Sequence, residues 1–205
     1  MTIHPSIALI EQRVSANAFD ASHTIDVADI EALVRLATRA PTAYNLQNWR
    51  FLALRSSEAK AKLRQLAYGQ AKVSEAAVTF IICGTLPDAE SVVARLTPFI
   101  TSGYMSPQMA SSWQEGALAQ YAHPQTARDE AVRSASLGAA TLIHAAQALG
   151  LVSGPMVGFD ADGVTREFGL GPREIPVMLL AVGRAAPGNW PQKPRRPLAE
   201  VLEVS

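Results

Sequence analysis

Residues 40–49, which read Ala-Pro-Thr-Ala-Tyr-Asn-Leu-Gln-Asn-Trp, join a predicted amphipathic helix to a predicted strand. Pro41 disfavours helical geometry at the residue before it, so the preceding helix is expected to end there. Thr42, Asn45 and Gln47 then place polar side chains between two apolar elements. Polar groups in such a position need hydrogen-bond partners, and a polar ligand is one candidate partner. The stretch is therefore either an ordered connection or one wall of a binding site.

Periodic apolar positions on both sides of this stretch predict further helices and strands. Val78–Cys83 is almost entirely apolar, which is typical of a central strand covered on both faces. The predicted strands cover residues 49–54, 78–83 and 175–182. The predicted helices cover residues 5–16, 27–39, 58–68, 107–121, 126–149 and 160–168, with a further helical stretch at 88–95.

The glycine-rich stretch from Gly150 to Phe159 is predicted to be a loop. Its centre, residues 154–158 (Gly-Pro-Met-Val-Gly), presents backbone amides where side chains are small or held aside. Such amides can donate hydrogen bonds to a flat heteroatom ring. Alternatively, the glycines serve only the backbone angles of a connection. The residues alone leave both interpretations open.

The longest predicted helix begins at Thr126, with Asp129 three residues later as in a capping box, and ends at Gly150. Residues 134–149 contain no Asp, Glu, Lys or Arg, and small residues dominate. A helix that is apolar all round is buried all round. We therefore expect a central helix packed against another subunit, with His144 as a hydrogen-bonded core residue.

Residues 1–205 are expected to form one domain, because the length suits a single core. The segment at about 85–125 is the least regular part and is interpreted as an excursion that forms a pocket wall or lid. Tyr104, Met105 and Trp113 are candidate walls of that pocket, with core packing as the alternative role of Trp113.

The composition restricts the function class. Of 205 residues, 48% are hydrophobic and 18% charged, and the formal net charge is zero. A duplex nucleic-acid binder usually carries a basic surplus, so no nucleic-acid partner is expected. The sequence shows no signal peptide and no convincing membrane span, so we expect a cytoplasmic protein that does not bind membranes.

Basic residues cluster at the two ends of the chain: Arg13 with Ser15, and Lys193 with Arg195 and Arg196. If these groups converge, they suit a phosphate dianion through charge-assisted hydrogen bonds. The alternative is a solvated helix end and a solvated tail.

The motifs of protein-borne chemistry are absent from the sequence. Cys83 is the one cysteine and lies in a hydrophobic strand, so it is expected to be an inert buried thiol. The four histidines lack metal-ligand spacing, and no metal site is predicted. No Gly-x-Gly-x-x-Gly or Gly-x-Ser-x-Gly motif occurs. If the protein is an enzyme, its chemistry is therefore expected to depend on a bound organic cofactor.

Five blocks of the sequence resemble the nitroreductase family of FMN-dependent oxidoreductases. Pro41–Trp49 is similar to the family's Pro-Ser-x-x-Asn-x-Gln-Pro-Trp stretch, and Arg13–Phe19 resembles its Arg-x-Ser-x-Arg/Lys-x-Phe motif. The other three blocks are Gly69–Lys72, Gly150–Phe159 and Lys193–Arg195. The blocks follow the family's order and cover nearly the whole chain.

The resemblance implies an α+β fold: a three-layer sandwich with a mostly antiparallel central sheet flanked by helices. It also implies an intertwined homodimer with two FMN sites at the interface. The expected cofactor-binding residues are Arg13, Val14, Ser15, Asn17, Pro41, Thr42, Ala43, Asn45, Gln70, Lys72, Pro155, Met156, Val157, Gly158, Lys193 and Arg195.

The resemblance also implies which part of the cofactor each residue contacts. The FMN phosphate is expected at Arg13, Ser15, Lys193 and Arg195. Gln70 and Lys72 are expected at the pyrimidine side of the ring, and the amides of Val157 and Gly158 at N5 and O4. The other subunit is expected to contribute Pro41, Thr42, Ala43 and Asn45.

The function implied is hydride transfer from NAD(P)H to nitroaromatics, quinones or related small-molecule acceptors by a ping-pong mechanism. The chemistry lies on the flavin, so no catalytic side chain is expected. A specialised reductase of a small aldehyde or enone is one alternative, and a non-catalytic flavin-binding protein is another. Asn17 replaces the usual base of its motif, which should make the reduced flavin somewhat less favourable, and Asn48 replaces a proline.

Overall fold

The computed structural model of the chain describes residues 4–205, which contain a four-stranded sheet. The strand order is β1-β2-β4-β3, and every neighbouring pair is antiparallel. The strands are β1 (Trp49–Leu54), β2 (Val78–Thr85), β3 (Val152–Met156) and β4 (Glu174–Gly183). The predicted central strand is therefore β2, which lies between β1 and β4.

Eight α-helices surround this sheet in residues 4–205. They are α1 (Pro5–Gln12), α2 (Val27–Ala37), α3 (Ser57–Leu66), α4 (Lys72–Glu75), α5 (Val92–Thr101), α6 (Pro107–Gln120), α7 (Pro124–Ala148) and α8 (Ala161–Glu167). Local signals fix several of their ends. Asp26 and Ser56 each accept a hydrogen bond from a backbone amide in the first turn of α2 and α3.

The sheet carries a hydrophobic core on each face, because successive side chains of a strand point to opposite sides. Phe80 and Ile82 of β2 lie in a core that also contains Leu33 of α2 and Leu142 of α7. Ile81 of β2 lies in the other core, with residues of α3 and α8. Helices thus cover both faces, which confirms the predicted α+β three-layer sandwich.

The prediction of a loop at 150–159 is wrong over its centre. Val152–Met156 forms β3 and pairs along its whole length with β4. The strand tolerates Pro155 because β3 is an edge strand, where a missing N–H need not break the ladder. Gly154 and Pro155 have low strand propensity, so the residue types of this stretch do not indicate a strand.

Helix α7 differs from expectation at its start and on one face. It begins at Pro124, and Asp129 accepts a hydrogen bond from Gln125 Nε2 (2.6 Å) instead of closing a capping box. One face is buried, but an α7 stripe (Leu137, Ala140, His144 and Ala148) is exposed in the single chain. The helix is therefore not buried on all sides within one chain, and His144 is not a core residue. Packing of the stripe against a second subunit stays a prediction.

Helix α1 is shorter than predicted, since it ends at Gln12 and not near residue 16. Its apolar face does not reach the core: Ile7 is 49% exposed and Ile10 60% exposed. Helix α7 approaches the sheet closely at Gly84 of β2, where a Cβ would overlap the backbone carbonyl of Ala131.

The segment at 85–125 forms two helices and a small core of its own. Helix α5 extends to Thr101 with Pro98 inside it, so residues 97–101 are more regular than predicted. Leu96 of α5, Ala110 and Ala117 of α6, and Leu46 of the loop before β1 are buried together. The segment therefore packs against the stretch at 40–49. Its role as a pocket wall or lid stays a prediction.

Among the helices in residues 4–205, none combines the length and the apolar character that crossing a bilayer would require.

Candidate functional site

The N-terminal motif lies against the edge strand β3. The amide of Ala16 donates to the carbonyl of Ser153 (2.9 Å), and Ser15 and Ser153 form a parallel bridge. A Cβ at Gly154 would collide with the carbonyl oxygen of Ala16. Glycine is thus required at 154 for this close approach. Two blocks that are more than a hundred residues apart in the sequence are adjacent here.

The C-terminal tail is fastened to the same motif by Asn189. Its Oδ1 accepts from the amides of Asn17 (2.7 Å) and Ala18 (3.0 Å), and its Nδ2 donates to the carbonyl of Ala18 (2.8 Å). Gln192 adds a bond from Nε2 to the carbonyl of Arg13 (2.9 Å). Sequence reasoning missed Asn189 and Gln192, because no local pattern links them to partners so distant in the chain.

Residues 69–72, the link between α3 and α4, lie at the same place. Gln70 Nε2 donates to the carbonyls of Gly158 (3.0 Å) and Ala67 (3.1 Å), so it ties the link to the end of β3. Lys72 Nζ donates to Oδ1 of Asn17 (3.3 Å). The predicted blocks at 13–19, 69–72 and 153–158 and the tail therefore meet at one place.

This place carries an excess of positive charge. Within residues 4–205, no carboxylate oxygen lies within 4.0 Å of the charged nitrogens of Arg13, Lys72, Lys193 or Arg195. The pKa of Lys72 is lowered, first by burial and then by the positive charge of Lys193. Both effects disfavour the charged lysine, and a bound anion would relieve the second. The cluster has the electrostatics of an anion site.

The basic side chains take up different positions around the cluster. Arg13 Nη1 donates to Ser15 Oγ (3.4 Å), which places a hydroxyl beside a guanidinium. Lys193 Nζ lies 5.7 Å from the centre of the Trp190 ring, a cation–π distance. The guanidinium of Arg195 is directed to the carbonyl of Lys193 (3.1 Å). Arg195 is therefore in the same tail segment, but its donors face its own backbone.

The end of β3 is open to solvent. Met156 is buried in the core, whereas Val157 is 76% exposed and a Cβ at Gly158 would meet no atom within 4 Å. Pro155 and Val14 are partly buried. The surface at 157 and 158 is thus open to a ligand, and the binding role of these amides stays a prediction.

In the single chain the stretch at 40–49 packs against α5 and α6. Its three-residue 3₁₀ turn, Ala43–Asn45, has positive φ at Tyr44 (50°) and Asn45 (52°). Thr42 Oγ1 accepts from the backbone amide of Gln47 (3.0 Å), so the threonine hydroxyl is used within the turn, whereas the side chain of Gln47 is exposed. Asn45 stays exposed.

In the described part of the chain, no hydrogen bond connects Pro41, Thr42, Ala43 or Asn45 to the basic cluster. The structure thus brings together the predicted residues from the two ends, the link and β3, but not these four. Their expected place on the flavin of another subunit stays a prediction.

A cavity of about 440 Å³ adjoins the 40–49 stretch on the side of α5 and α6. Its lining is mostly apolar, and it includes Asn45, Arg95, Leu96, Phe99, Met105 and Trp113. Met105 and Trp113 were predicted as walls. Tyr104 is 75% exposed and stacks on Phe99, with ring centres 5.0 Å apart. This volume lies within the usual range of small-molecule pockets.

Two further groups bear on the chemistry. Cys83 is a buried free thiol, and burial raises its pKa to about 12, so it is the inert residue that its strand predicts. Among residues 4–205, no three His, Cys, Asp or Glu side chains are grouped so that they could hold a metal ion.

Comparison with known proteins gives consistent matches over nearly the full length. A family model described as "Nitroreductase family" matches residues 10–184. The chain is 32% identical over 197 residues to "Putative NAD(P)H nitroreductase YodC" of Bacillus subtilis, with 96% of each protein covered.

Solved structures agree with this match. The crystal structure of "putative nitroreductase ydfN" from Bacillus subtilis superposes with a TM-score of 0.91 at 28% identity, covering 97% of this chain and 98% of that one. A "putative nitroreductase in complex with FMN" from Exiguobacterium sibiricum has a TM-score of 0.89 at 25% identity, with coverage of 100% and 99%.

Proposed function

Because the chain belongs to the nitroreductase family, we propose that it is an FMN-dependent oxidoreductase that takes hydride from NAD(P)H. The proposed acceptors are nitroaromatics, quinones or related small molecules, reduced after NAD(P)⁺ has left. With a quinone, one NAD(P)H and one proton yield NAD(P)⁺ and the hydroquinone. The use of NAD(P)H also favours a cytoplasmic location.

The residues of the basic cluster fit FMN by charge and by donor type. The observation that carries the proposal is that the tail is bonded to the backbone of Arg13 and brings Lys193 near Lys72, while in residues 4–205 no carboxylate oxygen lies within 4.0 Å of the charged nitrogens of these three residues. A phosphate dianion supplies the missing negative charge, and Ser15 supplies a hydroxyl donor beside Arg13. We propose that Arg13, Ser15, Lys193 and Arg195 hold the phosphate.

The residues around Lys72 fit the polar edge of a flavin ring. Lys72 is partly buried and uses one donor on Asn17, which leaves two N–H donors free. Asn17 thus provides no positive charge of its own, but it positions the lysine. When bound, FMN supplies a ring that accepts hydride and passes it on. We propose that Lys72 stabilises the negative charge that reduction places on the ring, with Gln70 beside it.

The far side of the site is proposed to come from a second copy of the chain. The apolar residues Ile7 and Ile10 of α1 and the α7 stripe are exposed in one chain, and they would be buried in an intertwined homodimer. In that arrangement Pro41, Thr42, Ala43 and Asn45 of each chain complete the site of the other. Pro155–Gly158 would contribute the backbone wall of the chain that holds the phosphate.

The spectrum of the purified protein tests this proposal. We expect a yellow protein whose flavin is released as FMN on denaturation, and whose absorbance bleaches when NADH or NADPH is added without oxygen. Recovery of the colour on adding a quinone or a nitroarene would complete the cycle. A colourless protein that takes up no FMN on reconstitution would contradict it.

A panel of acceptors then separates a broad reductase from a specialised one. Comparable rates with several quinones and nitroarenes support the broad activity. A rate confined to one class of aldehyde or enone supports the specialised alternative. Full FMN binding without oxidation of NAD(P)H in the presence of any acceptor would contradict the proposed activity.

A further inference from the structure

The cavity between the 40–49 stretch and helices α5 and α6 contains one fixed positive charge. A guanidinium nitrogen of Arg95 donates to the backbone carbonyl of Leu46. Leu46 is fully buried, so this bond attaches Arg95 to a rigid part of the fold. Arg95 as a whole is solvent-exposed, but this bond holds the guanidinium at the edge of the cavity.

This charge has no partner within the described part of the chain. No carboxylate oxygen of residues 4–205 lies within 4.0 Å of the guanidinium of Arg95. A guanidinium has five N–H donors in a planar fork, and the bond to Leu46 is its one hydrogen bond in these residues. The remaining donors are available to an anion.

The rest of the lining is apolar and aromatic. Leu96, Phe99, Met105 and Trp113 surround the space beside Arg95. A ligand that fills this cavity would bury an apolar or aromatic body and offer a negative group to the arginine. A purely apolar ligand would leave a desolvated guanidinium without a partner, which costs binding free energy.

We propose that Arg95 makes this cavity select electron acceptors that combine an aromatic or apolar body with a carboxylate or another anionic group. The inference rests on the proposed function, because Asn45 is both a lining residue of the cavity and a proposed contact of the cofactor. An acceptor in the cavity would therefore lie next to the proposed flavin site. Arg95 acts on binding and takes no part in hydride transfer.

The phosphate groups of NAD(P)H are an alternative anionic partner for Arg95. An arginine that served NADPH would change kcat/KM for the nucleotide and the preference for NADPH over NADH. An arginine that serves the acceptor leaves kcat/KM for each nucleotide unchanged, because in a ping-pong mechanism that constant reports only the half-reaction with NAD(P)H. It changes only the discrimination among acceptors. Measuring both sets of constants separates the two sources.

The test compares acceptors that differ mainly in charge. We expect the wild-type protein to reduce 4-nitrobenzoate with a higher kcat/KM than 4-nitrobenzyl alcohol. In Arg95→Gln, which keeps a donor for the Leu46 carbonyl, the ratio of the two constants should fall about 10-fold to 100-fold, the effect of losing a charged hydrogen bond. Arg166→Gln on α8 removes the same charge from an exposed arginine that does not line the cavity, and should leave the ratio unchanged.

A binding measurement gives a readout without turnover. Titration calorimetry with benzoate, which cannot be reduced here, should give a Kd about 10-fold or more higher in Arg95→Gln than in the wild type and in Arg166→Gln. Unfolding temperatures check that the variant is folded, and Arg95→Lys, which keeps the charge, should recover part of the affinity.

The outcomes are distinct. Reduction of neutral acceptors with no preference for the acidic one, or an equal ratio in Arg95→Gln, would overturn the inference and leave the proposed function standing. A changed preference for NADPH with an unchanged acceptor ratio would also overturn it. Failure to bind FMN or to reduce any acceptor would overturn the proposed function, and this inference with it.

Discussion

Lys72 Nζ lies 3.3 Å from Oδ1 of Asn17, so a side chain of α4 is held by a residue 55 positions earlier in the chain. The bond joins the N-terminal motif to the link at 69–72. It also holds a partly buried lysine whose pKa is lowered first by burial and then by the positive charge of Lys193. A neutral residue at 17 thus positions the charge at 72.

Removing the charge of Lys72 should make the bound flavin harder to reduce. We expect Lys72→Gln to lower the two-electron midpoint potential by about 30 mV, which corresponds to about 1.4 kcal/mol lost from the reduced state. Redox titration against a reference dye measures the change.

Lys72→Arg is the matched variant, since it keeps the charge and can still donate to Asn17. Its potential should stay close to that of the wild type. Equal potentials in the wild type and Lys72→Gln would show that this lysine does not face the ring.

Binding of the FMN phosphate should depend on basic residues from both ends of the chain. Arg13→Ala combined with Lys193→Ala removes two unneutralised charges from the cluster and should raise the Kd for FMN about 100-fold or more. Fluorescence titration of the apoprotein with FMN measures the loss.

Arg196→Ala is the control for that double variant. Arg196 belongs to the same tail but pairs with Glu200 (2.9 Å), so its charge is already neutralised. Its loss should change FMN affinity little. Unchanged affinity in the double variant would mean that the phosphate lies elsewhere.

Asn189 should hold the C-terminal tail against the N-terminal motif. Asn189→Ala removes three hydrogen bonds to the backbone at 17 and 18, and should lower the free energy of unfolding by about 1–3 kcal/mol while weakening FMN binding. Urea unfolding and FMN titration test the two effects.

Asn189→Asp keeps the oxygen that accepts from the two amides and loses the donor to Ala18. It should therefore retain part of the stability. If Asn189→Ala matched the wild type in both measurements, the tail would be held by other contacts.

Loss of the dimer should remove the flavin. Leu137→Asp places a charge on the exposed α7 stripe, in a part of the helix that otherwise has no charged residue. We expect a monomer without bound FMN, because the residues at 41–45 would no longer reach the site of the other chain. Sedimentation velocity, detected at the protein and flavin absorbance bands, reports both properties in one experiment.

Val27→Asp is the matched control, because Val27 is an exposed apolar residue at the start of α2, where a negative charge suits the helix dipole. It should remain dimeric and yellow. A Leu137→Asp monomer that keeps its FMN would refute the proposal of a shared site. Asn45→Ala should weaken FMN binding in the intact dimer, with a small loss of unfolding temperature because alanine is disfavoured at the left-handed φ of 52°.

The sequence by itself determined the elements whose evidence is local. An almost entirely apolar run identified the central strand β2, and apolar periodicity located helix α2. The order of five short blocks indicated the family and most residues of the cluster. Such signals are readable because periodicity, caps and motifs each lie within a few consecutive residues.

Only the tertiary structure decided what depends on distant partners. β3 is a strand because β4 pairs with it, although its glycine and proline indicate a loop. The hydrogen bonds of Asn189 join residues more than 170 positions apart. Arg95 donates to the Leu46 carbonyl because α5 packs on the 40–49 stretch. Pairing and long-range hydrogen bonds are formed between segments, so no single segment of the sequence contains them.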